Sequence, residues 1–457
     1  MKTGKQTESR TVSASDKPFR FNLCELGGAL GDLGTLLPLL VALITINHLN
    51  TTSVFFVVGL AYIGTGLFYR LPLPIQPLKA VAAIAIASGL SSSIISTSGL
   101  LIAAFLLLLA GSGAINPIAK LFPKAITRGI QLGVGLLLVK TGLTLVNKQQ
   151  VILGEGGATS ALPNLIIPTN WLLGLFFGVI FIVLLRSKRL PASLALLAVG
   201  IPVSVFWGSI SGLSSLNLGL SLPTVTLPNL GDLSTALVLL VIPQIPLTLG
   251  NAVFATVDTA KTYFGARARK VTPKALVTTM GIANLGAGLL GGMPVCHGSG
   301  GLTAHYRLGA RTGAAGLMIG ALFLALALFL NGNILPVLSL IPYSVLGVLV
   351  IFVGVSHCLL IRDLRSKDEI LVTLAVAIPG LVTTNLAIGL ASGLILSLMF
   401  WTFQRKSHRL PLLVFNRAND LLSRPQRVIS RFVKRIPLEG KKPLQDSKAA
   451  IEADPAS

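Results

Sequence analysis

Gly291-Gly292-Met293-Pro294-Val295-Cys296-His297-Gly298-Ser299-Gly300-Gly301 interrupts an otherwise apolar run. Pro294 disfavours helix at the residue before it, and the closely spaced glycines resist helix by their entropy. The segment reads as extended chain first and helix later. The same reading applies 220 residues upstream, at Leu71-Pro72-Leu73-Pro74-Ile75-Gln76-Pro77, which leads into Lys79 and an Ala-rich run. A proline at every second or third position forbids helix until after Pro77.

The correspondence extends outward. Leu30-Gly31-Asp32 is echoed by Leu249-Gly250-Asn251, Pro74-Ile75-Gln76 by Pro294-Val295-Cys296, and Pro123 and Gly135 by Pro342 and Gly354. Every echo lies 219 or 220 residues downstream. Repeats with Gly/Pro-broken apolar segments at matching places mark secondary transporters and point at the binding site.

Composition agrees. Of 457 residues, 53% are hydrophobic and 11% charged, with a mean hydropathy of +0.81. Apolar runs of about 17–25 residues, enough to span a bilayer as helix, recur along the chain. A lipid-facing β-barrel would show short alternating segments instead. The net charge of +22 invites a nucleic-acid reading, but the basic residues sit in short loops and tails, where an excess marks the cytoplasmic side. Cys24, Cys296 and Cys358 form no disulfide pattern, and the histidines are too scattered for a metal cluster. No enzyme constellation and no cofactor motif is present.

The expected fold is an all-α polytopic membrane protein of fourteen spans, arranged as two inverted sets of seven. The spans are read as 21–46, 52–69, 71–91, 99–119, 125–146, 169–186, 190–208, 234–260, 274–291, 292–306, 313–332, 336–360, 369–384 and 386–403. This divides the chain into a cytoplasmic tail (1–20), a first repeat (21–208), an inter-repeat loop (209–233), a second repeat (234–403) and a basic cytoplasmic tail (404–457). With both termini cytoplasmic, Lys17, Arg20, Arg70, Lys120, Lys124, Arg128, Arg186, Lys261, Arg267, Arg307, Arg362 and Arg405 all fall on one side. Seven is odd, so the second repeat enters from the opposite face. Residues 411–436 read either as a basic amphipathic helix on anionic lipid or as a solvated tail.

Broken spans 3 and 10 then place two half-helices with N-termini facing each other near the midplane. Irregular backbone at that depth survives only beside protein or a watery cavity. Opposed N-termini make an anion site, since their free N–H groups and dipoles favour negative charge. Gln76, Lys79, His297 and Ser299 add donors, and Gly298, Gly300 and Gly301 admit close backbone approach. A small tetrahedral oxyanion is the natural guest. Asp32 sits roughly 15 Å into span 1, where a carboxylate is costly and by default functional. It either pairs with Lys79 or carries a coupling proton. Glu25 is shallower, at an interfacial depth, and Asp258 lies near the loop edge of span 8; both are further coupling candidates.

At these segments the chain resembles the molybdate transporter family, relatives of the sulfate permeases. The matching stretches are Glu25 to Pro38 (ELGGALGDLGTLLP), Pro72 to Ala83 (PLPIQPLKAVAA), Pro243 to Asn251 (PQIPLTLGN) and Met293 to Gly313 (MPVCHGSGGLTAHYRLGARTG). The resemblance implies a core of spans 1–4 and 8–11 against a gate of spans 5–7 and 12–14. It implies molybdate transport, with sulfate or tungstate as competitors. Carried over by position, the site is Gln76, Pro77, Lys79, Gln244, Asn251 and His297 to Gly301. Sulfate permeases commonly carry a STAS domain after the last span, and residues 404–457 are too few for one.

The expected function is secondary active transport of molybdate, coupled to H⁺ or Na⁺. The alternatives are a sulfate transporter on the same scaffold and an anion channel. A homodimer is common in this architecture, and the short tails and plain N-terminus suggest a bacterial inner membrane.

Overall fold

Prolines and glycines divide the chain into helices that start and stop where the sequence supplies caps. The computed structural model describes residues 19–148, 150–151, 169–185, 192–206, 218–226, 228–330, 335–338 and 340–407. The amphipathic segment expected over 411–436 lies outside the described residues. Residues up to Leu398 form one unit; a second unit, Met399–Ser457, is described only to the end of the last helix at Ser407.

In chain order the elements are α1 (Leu23–Asn47), α2 (Thr51–Tyr69), β1 (Gln76–Pro77), α3 (Lys79–Ser88), α4 (Ser92–Ser112), α5 (Ile115–Lys120), α6 (Lys124–Val146), α7 (Thr169–Leu184) and α8 (Ala192–Phe206). There follow α9 (Leu230–Lys270), α10 (Pro273–Leu289), β2 (Val295–Cys296), α11 (Ser299–Arg307), α12 (Ala314–Phe329), α13 (Leu335–Leu338), α14 (Tyr343–Cys358), α15 (Lys367–Val382) and α16 (Leu386–Ser407). Six helices among the described residues are long and apolar enough to cross a membrane, and several shorter apolar ones accompany them. The protein is mostly helical and integral to a membrane.

Some boundaries depart from the sequence reading. The fourth span was expected over 99–119, but α4 runs Ser92–Ser112 and a separate short α5 follows. The Ser91 hydroxyl accepts from the Ile94 N–H at the start, and Gly113 takes a left-handed conformation (φ +70°) at the end. These caps override hydropathy in setting the limits. Expected span 12 (336–360) is divided in the same way, since α14 begins only after Pro342.

Close packing rests on small residues. α6 lies against α14, and at their crossing a Cβ on Gly135 would lie 2.6 Å from the Gly354 carbonyl oxygen, and one on Gly354 2.6 Å from that of Gly135. These are the two glycines that echo each other in sequence; any side chain there would force the backbones apart. α2 packs on α12, α4 on α10, α6 also on α15, and α7 on α14. Phe177, Phe181, Leu196, Val345 and Leu349 form an apolar cluster among α7, α8 and α14.

The decisive local feature is a two-stranded antiparallel pair at the centre. Gln76 faces Cys296 and Pro77 faces Val295. The sequence predicted extended chain in both places; their pairing with each other is a finding. A proline-rich strand has carbonyls but few N–H groups, so its acceptors need donors from elsewhere. His305 Nδ1 donates to the Pro72 carbonyl at 2.9 Å and His297 Nδ1 to the Pro74 carbonyl at 3.1 Å. On the outer edge of β2, Asn284 Oδ1 accepts from the Val295 N–H (2.8 Å) and its Nδ2 donates to the Val295 carbonyl (2.7 Å), as a neighbouring strand would. Replacing Asn284 with Ala strands both buried backbone groups, at a cost of about 3 kcal/mol. Thermal unfolding of the purified variant should show a clearly lowered midpoint; an unchanged midpoint would remove Asn284 from this role.

Candidate functional site

β1 runs into α3 and β2 into α11, so both half-helices begin beside the strand pair. Lys79 and Ser299 are the first residues of their helices. A cavity of about 320 Å³ opens there. Of the residues expected at the site, Gln76, Lys79, Gln244, Asn251, Ser299, Gly300 and Gly301 line it.

Gln76 links the charged groups. Its Nε2 donates to Asp32 Oδ1 at 2.5 Å, and its Oε1 accepts from Lys79 Nζ at 3.0 Å. The direct Asp32–Lys79 pair allowed for by the sequence does not form; the Gln76 amide stands between carboxylate and ammonium. Asp32 is 1% exposed, and its Oδ2 has no hydrogen-bond partner. It sits at a 3₁₀ turn, Leu30–Asp32, which breaks α1. Its sequence echo, Asn251, sits in a π-helical stretch of α9, Thr248–Ala255. Such irregular turns re-aim a side chain. Asn251 Oδ1 accepts from the Ser299 hydroxyl at 3.0 Å.

The two N-termini are not equivalent. At α3, Gln244 Oε1 accepts from the Ala80 N–H (2.9 Å) and more weakly from the Val81 N–H (3.4 Å), so the protein itself caps this helix. Among the described residues no protein acceptor meets the N–H groups of Ser299, Gly300 or Gly301. The expectation of two open, opposed N-termini is therefore corrected: one is open, and the other has its second and third N–H groups taken by Gln244 and presents the Lys79 ammonium. The glycines serve close approach. A Cβ on Gly301 would lie 2.6 Å from Gln76 Nε2 and 2.7 Å from Asp32 Oδ2.

Other expected residues lie off the cavity. His297 is engaged on both nitrogens, with Thr279 Oγ1 at 2.9 Å from Nε2 and the Pro74 carbonyl on Nδ1. It braces the strand pair instead of facing a ligand. Pro77 and Gly298 belong to the strand pair and its exit, and neither borders the cavity. Glu25 is buried within the protein and accepts from the backbone N–H groups of Arg311 (3.0 Å) and Thr312 (3.2 Å). Asp258 is exposed on α9.

Sequence reasoning passed over Thr35, Gln131 and His357, which also line the cavity. Gln131 carried a signal, as an uncharged polar residue within an apolar span. His357 had been set aside with the scattered histidines. Apolar wall residues such as Phe352 and Val353 carried none.

The chain's likeness to known proteins follows the same outline. The family described as "Molybdate transporter of MFS superfamily" matches over residues 24–138 and 236–356, more than half of the chain. Molybdate transporter 2 of Arabidopsis thaliana is 29% identical over 409 residues, covering 82% of this chain and 86% of that protein. Molybdate transporter 1 of Chlamydomonas reinhardtii is 28% identical over 469 residues, covering 81% and 90%. Among solved structures, the transmembrane domain of a cyanobacterium bicarbonate transporter, BicA, superposes with a TM-score of 0.59 at 20% identity, covering 81% of this chain and 98% of that one. The murine Solute Carrier 26 family member A9 anion transporter in its inward-facing state gives 0.62 at 17% identity, covering 87% and 74%. The structural likenesses establish the fold alone. The relatives are transporters and not enzymes, and so is this protein. The family match spans both strand-bearing halves that build the cavity, and the chain belongs to the molybdate transporter family.

Proposed function

We propose that the protein is a secondary active transporter of molybdate, bound between Lys79 and the open N-terminus of α11. The observation that carries this reading is the cavity at the strand pair. It offers one buried ammonium, unpaired N–H groups and neutral donors, and the Asp32 carboxylate behind its wall is tied back by Gln76. The polar groups converge at the strand pair, which suits a small oxyanion.

The fold supports fourteen spans in two inverted repeats. Exchanging the halves turns the α2–α12 packing into α10–α4, turns α6–α15 into α14–α7, and maps α6–α14 onto itself. The cavity has walls from the expected core (α1, α3, α9, α11) and from the expected gate (α6, α14). Sliding of one against the other would expose it alternately to the two sides. Both termini lie on the basic, cytoplasmic side in this reading, which fits a plasma membrane.

Inward movement of a dianion against a negative-inside potential costs about 2.3 kcal/mol per charge per 100 mV, so uptake needs a co-transported cation. Asp32 is the coupling group. A proton on its carboxylate leaves Lys79 uncompensated and raises the positive charge facing the oxyanion. Replacing Asp32 with Asn should leave molybdate exchange at equal pH measurable while abolishing acceleration by an imposed pH gradient. Retained acceleration would exclude Asp32 as the proton carrier.

The test of the whole reading is uptake of labelled molybdate into proteoliposomes, with excess sulfate as competitor and with pH or Na⁺ gradients imposed. Saturable uptake that sulfate barely blocks supports molybdate and identifies the coupling ion. Uptake abolished by equimolar sulfate moves the protein to sulfate transport, and large ohmic currents move it to a channel.

A further inference from the structure

A second cavity, of about 370 Å³, abuts the first: Gln131, Asn251, Ser299 and Leu360 border both. Its outer wall carries Lys124, Thr127 and Arg128, in the first turns of α6. Two cations at a helix N-terminus are electrostatically unfavourable, because the helix dipole is already positive there. The position calls for negative charge.

Asp363 supplies part of it. Arg128 Nε donates to Asp363 Oδ1 at 2.9 Å and Nη2 to Oδ2 at 2.6 Å, while Lys124 Nζ lies 3.2 Å from Oδ2. This two-pronged contact is the geometry in which a guanidinium holds any oxyanion. Among the described residues Asp363 is the carboxylate paired directly with these two cations, and Glu369 lies near Lys124 without pairing to it. The Asp363 and Lys124 side chains are 44% and 46% exposed against 22% for Arg128, so the carboxylate sits where an anion from solvent can compete for the fork. The third prong of Arg128, Nη1, donates to Gln131 Oε1 at 2.7 Å, and Gln131 faces the inner cavity as well.

Building on the reading of the inner site, we propose that this vestibule is a second, outer binding station for the tetrahedral oxyanion, and that the Asp363 carboxylate is a tethered competitor occupying its arginine fork until a dianion displaces it. A dianion brings twice the charge of the carboxylate to the same donors. Return of Asp363 to the fork then expels the anion, inward along Gln131 or back to solvent. The competitor keeps the outer station from becoming a trap.

Equilibrium binding of labelled molybdate to the purified full chain tests this, with labelled sulfate as a parallel probe. In Lys79→Ala protein, where the inner site is weakened, weak and salt-sensitive binding should remain. Adding Asp363→Asn should strengthen it about tenfold by removing the competitor. Adding Arg128→Gln should eliminate it, and Arg128→Lys should give an intermediate loss, since the charge is kept and the fork is lost. Size-exclusion profiles and thermal midpoints identify variants that are properly folded. Folded Lys79→Ala protein without residual binding even with Asp363→Asn, or residual binding indifferent to Arg128→Gln, would overturn the proposal. Wild-type binding of sulfate without molybdate would overturn the molybdate reading alone, and the station would then be read with sulfate. Wild-type binding of neither anion would overturn both.

Discussion

Replacing Lys79 with Ala is expected to weaken molybdate binding by roughly a hundredfold, about 3 kcal/mol, and to bring uptake close to background. Lys79 is the ammonium of the inner cavity, 9% exposed and held by Gln76 at the head of α3. Gln244 already takes the N–H groups of Ala80 and Val81, so little of that helix end is left to take over. Removing the ammonium also leaves the Asp32 carboxylate without a nearby countercharge, which adds repulsion of the anion to loss of attraction. The double replacement Lys79→Ala with Asp32→Asn restores neutrality and should recover part of the lost affinity. This non-additivity is readable as a double-mutant cycle. Equilibrium binding to purified protein measures it apart from transport. Affinity within a factor of about two of wild type in Lys79→Ala would remove Lys79 from the site.

Gly301→Ala is expected to lower uptake about a hundredfold. The added carbon would meet Gln76 Nε2 at 2.6 Å and Asp32 Oδ2 at 2.7 Å, and both side chains are buried with nowhere to retreat. The Asp32–Gln76 bond must break or α11 must move, and either displaces the Lys79 ammonium that Gln76 orients. Gly300 is a built-in control: a Cβ there meets nothing within 4 Å, so Gly300→Ala tests helix backbone effects without the clash. The two variants should differ sharply in uptake at equal expression and equal size-exclusion behaviour. Equal uptake would show that the Asp32–Gln76–Lys79 chain is not needed in this arrangement.

Much of the site was legible because its residues are abnormal where they stand. A carboxylate ten or so residues into an apolar span, prolines in alternation and a glycine cluster all violate the rules for transmembrane helix. The echoes at one spacing tied those violations to each other. What stayed hidden were groups whose type carries no signal. Gln244 was assigned by position alone, and its service as the cap of a helix 164 residues away has no local mark. His297 looked like an anion donor because it sits in the glycine-rich break, yet its two nitrogens are consumed by Pro74 and Thr279. Nothing near Glu25 in sequence marks it as the buried acceptor for the Arg311 and Thr312 N–H groups, which lie 286 and 287 residues away.

The sequence by itself determined that this protein lives in a membrane, that its halves correspond, and where helix gives way to extended chain, because hydropathy, proline geometry and glycine entropy act within a few residues. Only the tertiary structure decided that the two extended segments pair, that Gln76 separates Asp32 from Lys79, and that one helix N-terminus stays open while the other is capped. Those outcomes depend on which hydrogen-bond partners arrive from distant segments once the helices pack. A buried polar group takes whichever partner the fold delivers, and spacing along the chain does not encode that choice.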